Sequence, residues 1–207
     1  LRVAGTVLPV ELPVPGIHNV KNALAAAGLG IALGMDITQI VNRLSCLEPI
    51  AGRFRLLQSK THGLIFDDTF VDGPASLEVA LEYFEQTSLQ PIAVIGALRH
   101  IGTSESEVTT RLGPLLARNL HTLICYGDDS KQLGLAAQTA GLAKERIREA
   151  HTIVQAKDIV KSLKSDRRPL FIKGNSNDRL ERLVEPMLSQ QSDAKVLLCR
   201  QSPVWQQ

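Results

Sequence analysis

Residues 63–68 read Gly-Leu-Ile-Phe-Asp-Asp, an apolar run that ends in two adjacent carboxylates. Two later runs, at 92–95 and 123–125, are apolar at every position rather than at alternate positions. Continuous apolar runs of this length are typical of parallel strands that are covered on both faces. Because helix-like segments separate the runs, we predict an α/β fold with a doubly wound, mostly parallel, Rossmann-like sheet.

The periodicity extends this expectation along the chain. Residues 2–14 predict short edge strands, and residues 19–33 and 36–44 predict two helices. Residues 48–52 read as a linker, which divides the chain into 1–50 and 51–207. After the linker we expect strands at 54–58, 64–67, 92–96, 122–126, 170–173 and 196–200. Helices are expected between them at 75–86, 105–118, 130–140, 156–163 and 178–190.

The composition excludes several classes of protein. The chain has 207 residues, 44% apolar and 4% aromatic, with a formal net charge of +2 and a mean hydropathy of +0.03. This is typical of a globular protein, and it favours neither nucleic acid nor a membrane as a partner. Its three cysteines are widely spaced, which is typical of reduced thiols and predicts a cytoplasmic location. No apolar run is long enough to cross a bilayer, and we expect no leader.

Residues 16–27, Gly-Ile-His-Asn-Val-Lys-Asn-Ala-Leu-Ala-Ala-Ala, predict the start of a helix with Asn19 as its N-cap. Free N–H groups at a helix start favour an anion or a polar ligand edge. Asn19 and Asn22 share one face, and a carboxamide can pair with the edge of an adenine. The alternative is an ordinary Ala-rich core helix. His18 is equally compatible with a structural hydrogen bond and with a ligand contact.

Two other segments carry groups suited to binding. Asp67 and Asp68 stand where an α/β sheet presents its functional groups, and such carboxylates can hold ribose hydroxyls or join a metal shell. Alternatively, one of them caps the next turn, with Pro74 at the first helical position. Residues 173–176, Lys-Gly-Asn-Ser, follow a strand, and their lysine and backbone N–H groups could bind a carboxylate or a phosphate. An ordinary strand-to-helix turn is the other interpretation.

Taken in order, these segments resemble the signatures of the Mur ligases. Residues 16–27 are similar to that family's Gly-x-His-Asn-x-x-Asn-Ala-Leu-Ala-Ala, and Gly52-Arg53 to its Gly-Arg. Residues 67–76 resemble Asp-Asp-Ser-Tyr-Asn-Ala-Asn-Pro-x-Ser, residues 93–102 resemble Val-Leu-Gly-Asp-Met-x-Glu-Leu-Gly, and residues 173–176 resemble Lys-Gly-Ser-Arg. Each motif is weak alone, but their common order is specific. The pattern is nearest to the branch that adds D-alanyl-D-alanine to a UDP-muramoyl tripeptide.

The resemblance implies part of an ATP-dependent amide ligase of peptidoglycan precursor synthesis. Residues 1–50 would be the end of the central ATP-binding domain, and 51–207 the C-terminal domain. The implied reaction phosphorylates a carboxylate to an acyl phosphate, which an amine then attacks. The implied partners are a UDP-muramoyl peptide, an amino acid or dipeptide, and the upstream domains of the same polypeptide, with no nucleic acid and no membrane.

The resemblance also implies roles for individual residues. Those implied to bind ATP are His18, Asn19, Asn22, Arg53 and Asp68. Those implied to face the amine substrate are Thr69, Phe70, Ser76, Lys173, Asn175 and Ser176. No residue of this chain is assigned to catalysis or to a metal, and the ligands of Mg²⁺ are expected mainly upstream. The phosphate loop Gly-x-x-x-x-Gly-Lys-Ser/Thr does not occur in the sequence. We therefore expect residues 1–207, which start at Leu1, to belong to a longer chain and not to turn over alone.

The sequence departs from the family pattern in two places. Phe-Val-Asp-Gly at 70–73 replaces Tyr-Asn-Ala-Asn, and Ala97 and His100 replace an Asp and a Glu. These changes fall where the amine is selected, so they leave its identity open. They also leave two alternatives: a degenerate Mur-like domain with a binding or regulatory role, or another ligase of the superfamily, of the cyanophycin or folylpolyglutamate type.

Overall fold

The computed structural model describes residues 1–99, 104–163 and 168–205. The chain divides into two compact units, Leu1–Ile50 and Ala51–Gln207. None of the described helices is long and apolar enough to span a membrane.

The first unit is a β-hairpin followed by two helices. Strands β1 (Arg2–Val3) and β2 (Thr6–Val7) pair antiparallel, which confirms the predicted edge strands. Helix α1 spans Ile17–Ala32 and helix α2 spans Ile37–Ser45. The small core of this unit consists of Ala23, Ala27, Ile40 and Leu44.

The start of α1 differs from the prediction, because Gly16 and not Asn19 is the N-cap. Gly16 has a φ of 96°, and a Cβ there would lie 2.5 Å from Cε1 of His18. Only glycine therefore suits this entry to the helix. Asn19 lies in the first turn, where its Nδ2 donates to the Pro15 carbonyl at 2.7 Å. The prediction of Asn19 as N-cap was wrong because the glycine lets the helix begin at Ile17, three residues before the start that an N-cap at Asn19 implies.

The second unit contains a six-stranded sheet with the order β3-β4-β8-β5-β6-β7. Strand β3 pairs antiparallel with β4, and all the other pairs are parallel. This confirms the predicted doubly wound, mostly parallel sheet. The strands are β3 (Arg55–Ser59), β4 (Gly63–Asp68), β5 (Ile92–Ile95), β6 (Thr122–Tyr126), β7 (Ile147–Ala150) and β8 (Leu170–Lys173).

Helices cover both faces of this sheet. One apolar cluster joins α3, α4 and α5 to one face, through residues such as Leu81, Leu116 and Leu133. A second cluster joins α6, α7 and α8 to the other face. The helices are α3 (Pro74–Thr87), α4 (Glu105–Asn119), α5 (Lys131–Thr139), α6 (Ile153–Ser162), α7 (Glu181–Val184) and α8 (Ala194–Leu197).

The structure differs from the prediction in three elements of the second unit: one predicted helix, one predicted strand and one strand that was not predicted. The helix predicted at 178–190 is only α7 and a following 3-10 turn, Glu185–Met187, because Pro186 lacks the N–H that a continuing helix needs. The strand predicted at 196–200 is wrong, since its first residues complete the short helix α8. Strand β7 was not predicted, because its exposed Arg148 and Glu149 conceal an edge strand.

The topology concentrates loops at one edge of the sheet. The chain leaves β4 and β5 towards helices on one face, whereas it leaves the intervening β8 towards α7 on the opposite face. A crevice forms at the carboxyl ends of strands where neighbouring connections diverge in this way. The carboxyl ends of β4, β8 and β5 are therefore where a ligand site is expected.

Candidate functional site

A buried ion pair joins the carboxyl ends of two neighbouring strands. Asp68 and Lys173 end β4 and β8, where they are direct register partners. Nζ of Lys173 lies 2.7 Å from Oδ2 of Asp68, and the lysine side chain is completely buried. Burial lowers the pKa of Lys173, and the neighbouring Asp68 opposes this shift. The second carboxylate oxygen of Asp68 accepts the backbone N–H of Phe54 at 3.0 Å, so both oxygens already have a protein donor.

Lys173 also holds the loop that follows β4. Its ammonium group donates to the Val71 carbonyl at 2.5 Å and to Oγ of Ser76 at 2.8 Å. Together with Asp68 these make three acceptors, which is the full capacity of an ammonium group. The lysine is therefore satisfied within the protein.

Asn175 joins the loop after β8 to the loop after β5. Its Nδ2 donates to the Ala97 carbonyl at 3.3 Å, while its Oδ1 accepts the N–H of Asn177 at 2.7 Å and that of Asp178 at 3.1 Å. Asp178 returns a bond by accepting the N–H of Asn175 at 3.0 Å. Its carboxylate lies so close to Gly174 that a Cβ there would be 2.9 Å from Oδ2. Burial raises the pKa of Asp178.

Arg99 makes the third connection, between the loops after β5 and β4. Its Nε lies 3.1 Å from Oδ2 of Asp72, and its backbone N–H donates to the Asp72 carbonyl at 3.0 Å. Asp72 belongs to the first departure from the Mur pattern, and Arg99 lies within the second segment that departs. The two altered segments therefore contact each other. His100 and the end of the 93–102 motif lie outside the described residues.

Behind this edge, Asp67 and Thr69 form a buried polar pair. Thr69 donates to Oδ1 of Asp67 from its hydroxyl at 2.7 Å and from its N–H at 3.3 Å. Burial raises the pKa of Asp67 to about 6, with hydrogen bonds from Thr69 opposing the shift. The Thr69 carbonyl accepts from Nη2 of Arg200 at 2.7 Å. This pair therefore connects the strand end to the C-terminal segment.

Phe70 presents a partly exposed ring with two guanidinium groups close to it. Arg53 lies 5.1 Å from the ring centroid and Arg200 lies 5.8 Å from it, both within cation–π range. The Phe70 N–H donates to the Gly52 carbonyl at 2.9 Å. Gly52 has a φ of 72°, and a Cβ there would lie 2.9 Å from Cβ of Phe70. Gly52-Arg53 is therefore held directly against the loop that follows β4.

Known proteins resemble this chain over most of its length. No protein-family model matches it. The UDP-N-acetylmuramoyl-tripeptide–D-alanyl-D-alanine ligase of Synechocystis sp. is 30% identical over 178 residues, which cover 85% of this chain and 38% of that protein. The same ligase of Buchnera aphidicola is 24% identical over 87% of this chain and 38% of its own length. The crystal structure of MurF from Acinetobacter baumannii matches with a TM-score of 0.72 and 27% identity, over 87% of this chain and 40% of its own.

The chain is homologous to the Mur ligases. It spans 38% of the length of the first two relatives. MurC from Thermotoga maritima, at 19% identity and a TM-score of 0.63, shares the fold.

The structure places the predicted site residues of this Mur ligase homologue in both units. In the first unit His18 and Asn19 are half-buried and Asn22 is exposed. In the second unit most of the predicted residues meet at one edge of the sheet, and Ser176 lies half-buried in the loop after β8. Those connected there by the contacts above are Arg53, Asp68, Thr69, Phe70, Ser76, Lys173 and Asn175.

Sequence reasoning missed Arg200 and Glu181. The two side chains are almost completely buried and form an ion pair, with Nη2 of Arg200 2.6 Å from Oε2 of Glu181. No local pattern marks either residue, because Arg200 follows a run that resembles a strand and Glu181 lies in a charged helix. Only the tertiary structure brings them beside Thr69.

Proposed function

We propose that this chain is part of an ATP-dependent amide ligase of peptidoglycan precursor synthesis. The proposed reaction joins an amino acid or D-alanyl-D-alanine to a UDP-muramoyl peptide through an acyl phosphate. In this proposal residues 1–50 end the central ATP-binding domain, residues 51–207 form the C-terminal domain, and the enzyme is cytoplasmic. The observation that carries it is that separate Mur-like motifs, around Arg53, Asp68 and Lys173, meet at the carboxyl edge of one sheet.

ATP would supply the phosphoryl group that activates the carboxylate. Arg53 fits a phosphate, because it is exposed and has no carboxylate partner among the described residues. Asp68 fits a ribose less directly, since each of its oxygens already accepts a bond, from Phe54 and Lys173. A ribose hydroxyl would have to add to these donors or displace one. We therefore assign Arg53 to the phosphates and Asp68 to positioning the Lys173 ammonium.

Mg²⁺ is part of the proposal, with ligands outside this chain. Within residues 1–99, 104–163 and 168–205, no three His, Cys, Asp or Glu side chains converge on a point that could hold a metal ion. We therefore assign no step to the metal on any residue described above.

The loops after β4, β5 and β8 would present the amine to the activated carboxylate. Lys173 fixes Val71 and Ser76, so the β4 loop has one defined position relative to the sheet. Asp178 adds a carboxylate to the same rim that would attract the ammonium form of an incoming amine, whereas the Asp72 carboxylate is already paired with Arg99. This positioning role suits a domain that delivers one of two reactants.

The natural gene product that carries these residues is the protein to assay. It should be given ATP and, in turn, the three pairs of substrates in the names of the relatives: UDP-N-acetylmuramate with L-alanine, UDP-N-acetylmuramoylalanine with D-glutamate, and UDP-N-acetylmuramoyl-tripeptide with D-alanyl-D-alanine. We expect phosphate release that requires both members of one pair, together with a product mass equal to the two substrates minus water. Omission of either substrate is the control. Absence of ligation with all three amines would contradict the proposal.

A second candidate, a degenerate domain with a binding role, is favoured by one observation. Asp68 is neutralised by Lys173 and Asp72 by Arg99, so these four charges are already engaged within the protein. Under this candidate the gene product would bind nucleotide or muramoyl peptide without turnover. The ligation assay above separates the two candidates directly.

A further inference from the structure

A basic cavity lies beside α6, α7 and the C-terminal segment of the second unit. Its volume is about 670 Å³. Four cationic side chains line it, accompanied by two carboxylates, of Glu181 and Glu185. The cations are Lys157, Arg179, Arg182 and Arg200. Cations are therefore in excess at its wall.

Glu181 orients two of these cations. Nε of Arg179 lies 2.9 Å from Oε1 of Glu181, and Nη2 of Arg200 lies 2.6 Å from Oε2. Each guanidinium group thus uses one part of its donor set on the buried carboxylate and keeps other N–H groups for a further acceptor. Both arginines have a left-handed backbone, with φ of 53° and 55°. Such strained non-glycine positions are concentrated at ligand clamps and active sites.

An oxygen atom already occupies the point where two arginines converge. The backbone carbonyl of Trp205 accepts from Nη2 of Arg179 and from Nη2 of Arg182, the latter at 3.2 Å. A neutral carbonyl makes weaker bonds with guanidinium groups than a charged oxygen does. The Trp205 carbonyl therefore marks a position that suits an oxyanion better than a peptide group.

Arg200, a residue that lines the cavity, has two donors that lack an acceptor within the described part of the chain. Only 3% of the Arg200 side chain is exposed, and its Nε and Nη1 are buried without a hydrogen-bond partner among the described residues. Buried donors of this kind are costly unless an acceptor reaches them. Lys157 and Arg182 have no carboxylate partner within the part of the chain that the structure describes. Unmet donors on one lining residue, Arg200, thus accompany the unpaired charges of two others, Lys157 and Arg182.

We propose that this cavity binds a small oxyanion, carried by a phosphate or a carboxylate, and that the segment that contains Trp205 is its displaceable occupant. Arg179 and Arg182 bind the oxyanion where the Trp205 carbonyl now lies. Arg200 transmits its presence to the β4 loop through the Thr69 carbonyl. This binding is independent of the proposed ligase activity, because Arg179, Arg182 and the Trp205 carbonyl have no role in the proposed ligation.

The single tryptophan of the chain provides the measurement. Trp205 is the only one in the sequence, and the Arg179 guanidinium lies 5.4 Å from the centroid of its ring. Phosphate, pyrophosphate and citrate are titrated against tryptophan fluorescence at constant ionic strength, with chloride as the balancing anion. We expect a saturable change with a midpoint below about 1 mM for at least one oxyanion. Saturation by phosphates alone identifies a phosphate ligand, and saturation by citrate alone identifies a carboxylate ligand.

A matched pair of variants separates specific binding from general charge. Arg182→Gln removes a cavity cation and should raise the midpoint at least tenfold. Arg146→Gln removes the same charge from an exposed position outside the cavity, so its midpoint should not change. Arg182→Lys keeps the charge without the planar fork and should give an intermediate midpoint. Equal midpoints in the Arg182→Gln and Arg146→Gln variants, or no response beyond that of chloride, would overturn the proposal.

Discussion

Lys173 determines the arrangement of the candidate site at the level of single residues. It is completely buried, and its ammonium group reaches Asp68, Val71 and Ser76. The resemblance to Mur ligases implied that Lys173 contacts the substrate, whereas in the structure all three of its N–H donors bond to protein acceptors. We therefore expect a substitution of Lys173 to change the stability of the second unit first.

We predict that Lys173→Met destabilises the second unit by about 3–5 kcal/mol, because it leaves the Asp68 carboxylate buried without its cation. Urea unfolding followed by Trp205 fluorescence measures this loss. Lys195→Met removes an exposed lysine of α8 and should change the free energy of unfolding by less than about 0.5 kcal/mol. Adding Asp68→Asn to Lys173→Met should restore part of the stability, since no unpaired charge remains. Equal losses for the two lysine variants would refute this account.

At the scale of elements, two glycines of α1 have different roles: Gly16 is needed for the turn into the helix, whereas Gly28 lies within the helix and has no such role. Gly16 has a positive φ, and a Cβ there would lie 2.5 Å from Cε1 of His18, whereas a Cβ on Gly28, inside the helix, would meet nothing within 4 Å. We predict that Gly16→Ala destabilises α1 by more than about 1 kcal/mol and that Gly28→Ala stabilises it by about 0.5–1 kcal/mol. Amide hydrogen exchange over residues 17–32 measures both effects. A shift in the same direction for both variants would be inconsistent with these roles.

Strands and helices could be predicted from the sequence where the pattern of apolar residues matched the residues that are buried in the structure. The strands at 92–95 and 122–126 contain the continuous apolar runs 92–95 and 123–125, and the sequence predicted both strands nearly to the residue. The edge strand β7 was missed because only two of its four residues, Ile147 and Ala150, are shielded from solvent. The prediction of one helix over 178–190 was wrong at Pro186, because proline has no N–H to donate to the preceding turn, although the apolar residues around it have helical spacing.

At the scale of the whole molecule, the sequence predicted the class of fold but not the strand order. The placement of Asp68 at a strand end followed from its position after an apolar run. Its pairing with Lys173, 105 residues away, required β8 to insert between β4 and β5. The Arg200–Glu181 pair likewise depends on tertiary contacts. Pairings of this separation leave no trace in local periodicity.

The late insertion of β8 makes the second unit depend on its C-terminal part. Residues 170–173 pair with β4 on one side and with β5 on the other. A chain that ends at residue 163 therefore leaves two separate pieces of sheet, β3-β4 and β5-β6-β7, with unpaired backbone groups at the break. We predict that this truncation abolishes slow amide exchange in β5 and β6. A chain that ends at Gln201 loses the Trp205 segment but keeps β8, and it should retain that protection. Protected β5 and β6 in the shorter chain would mean that the sheet can form without its central strand.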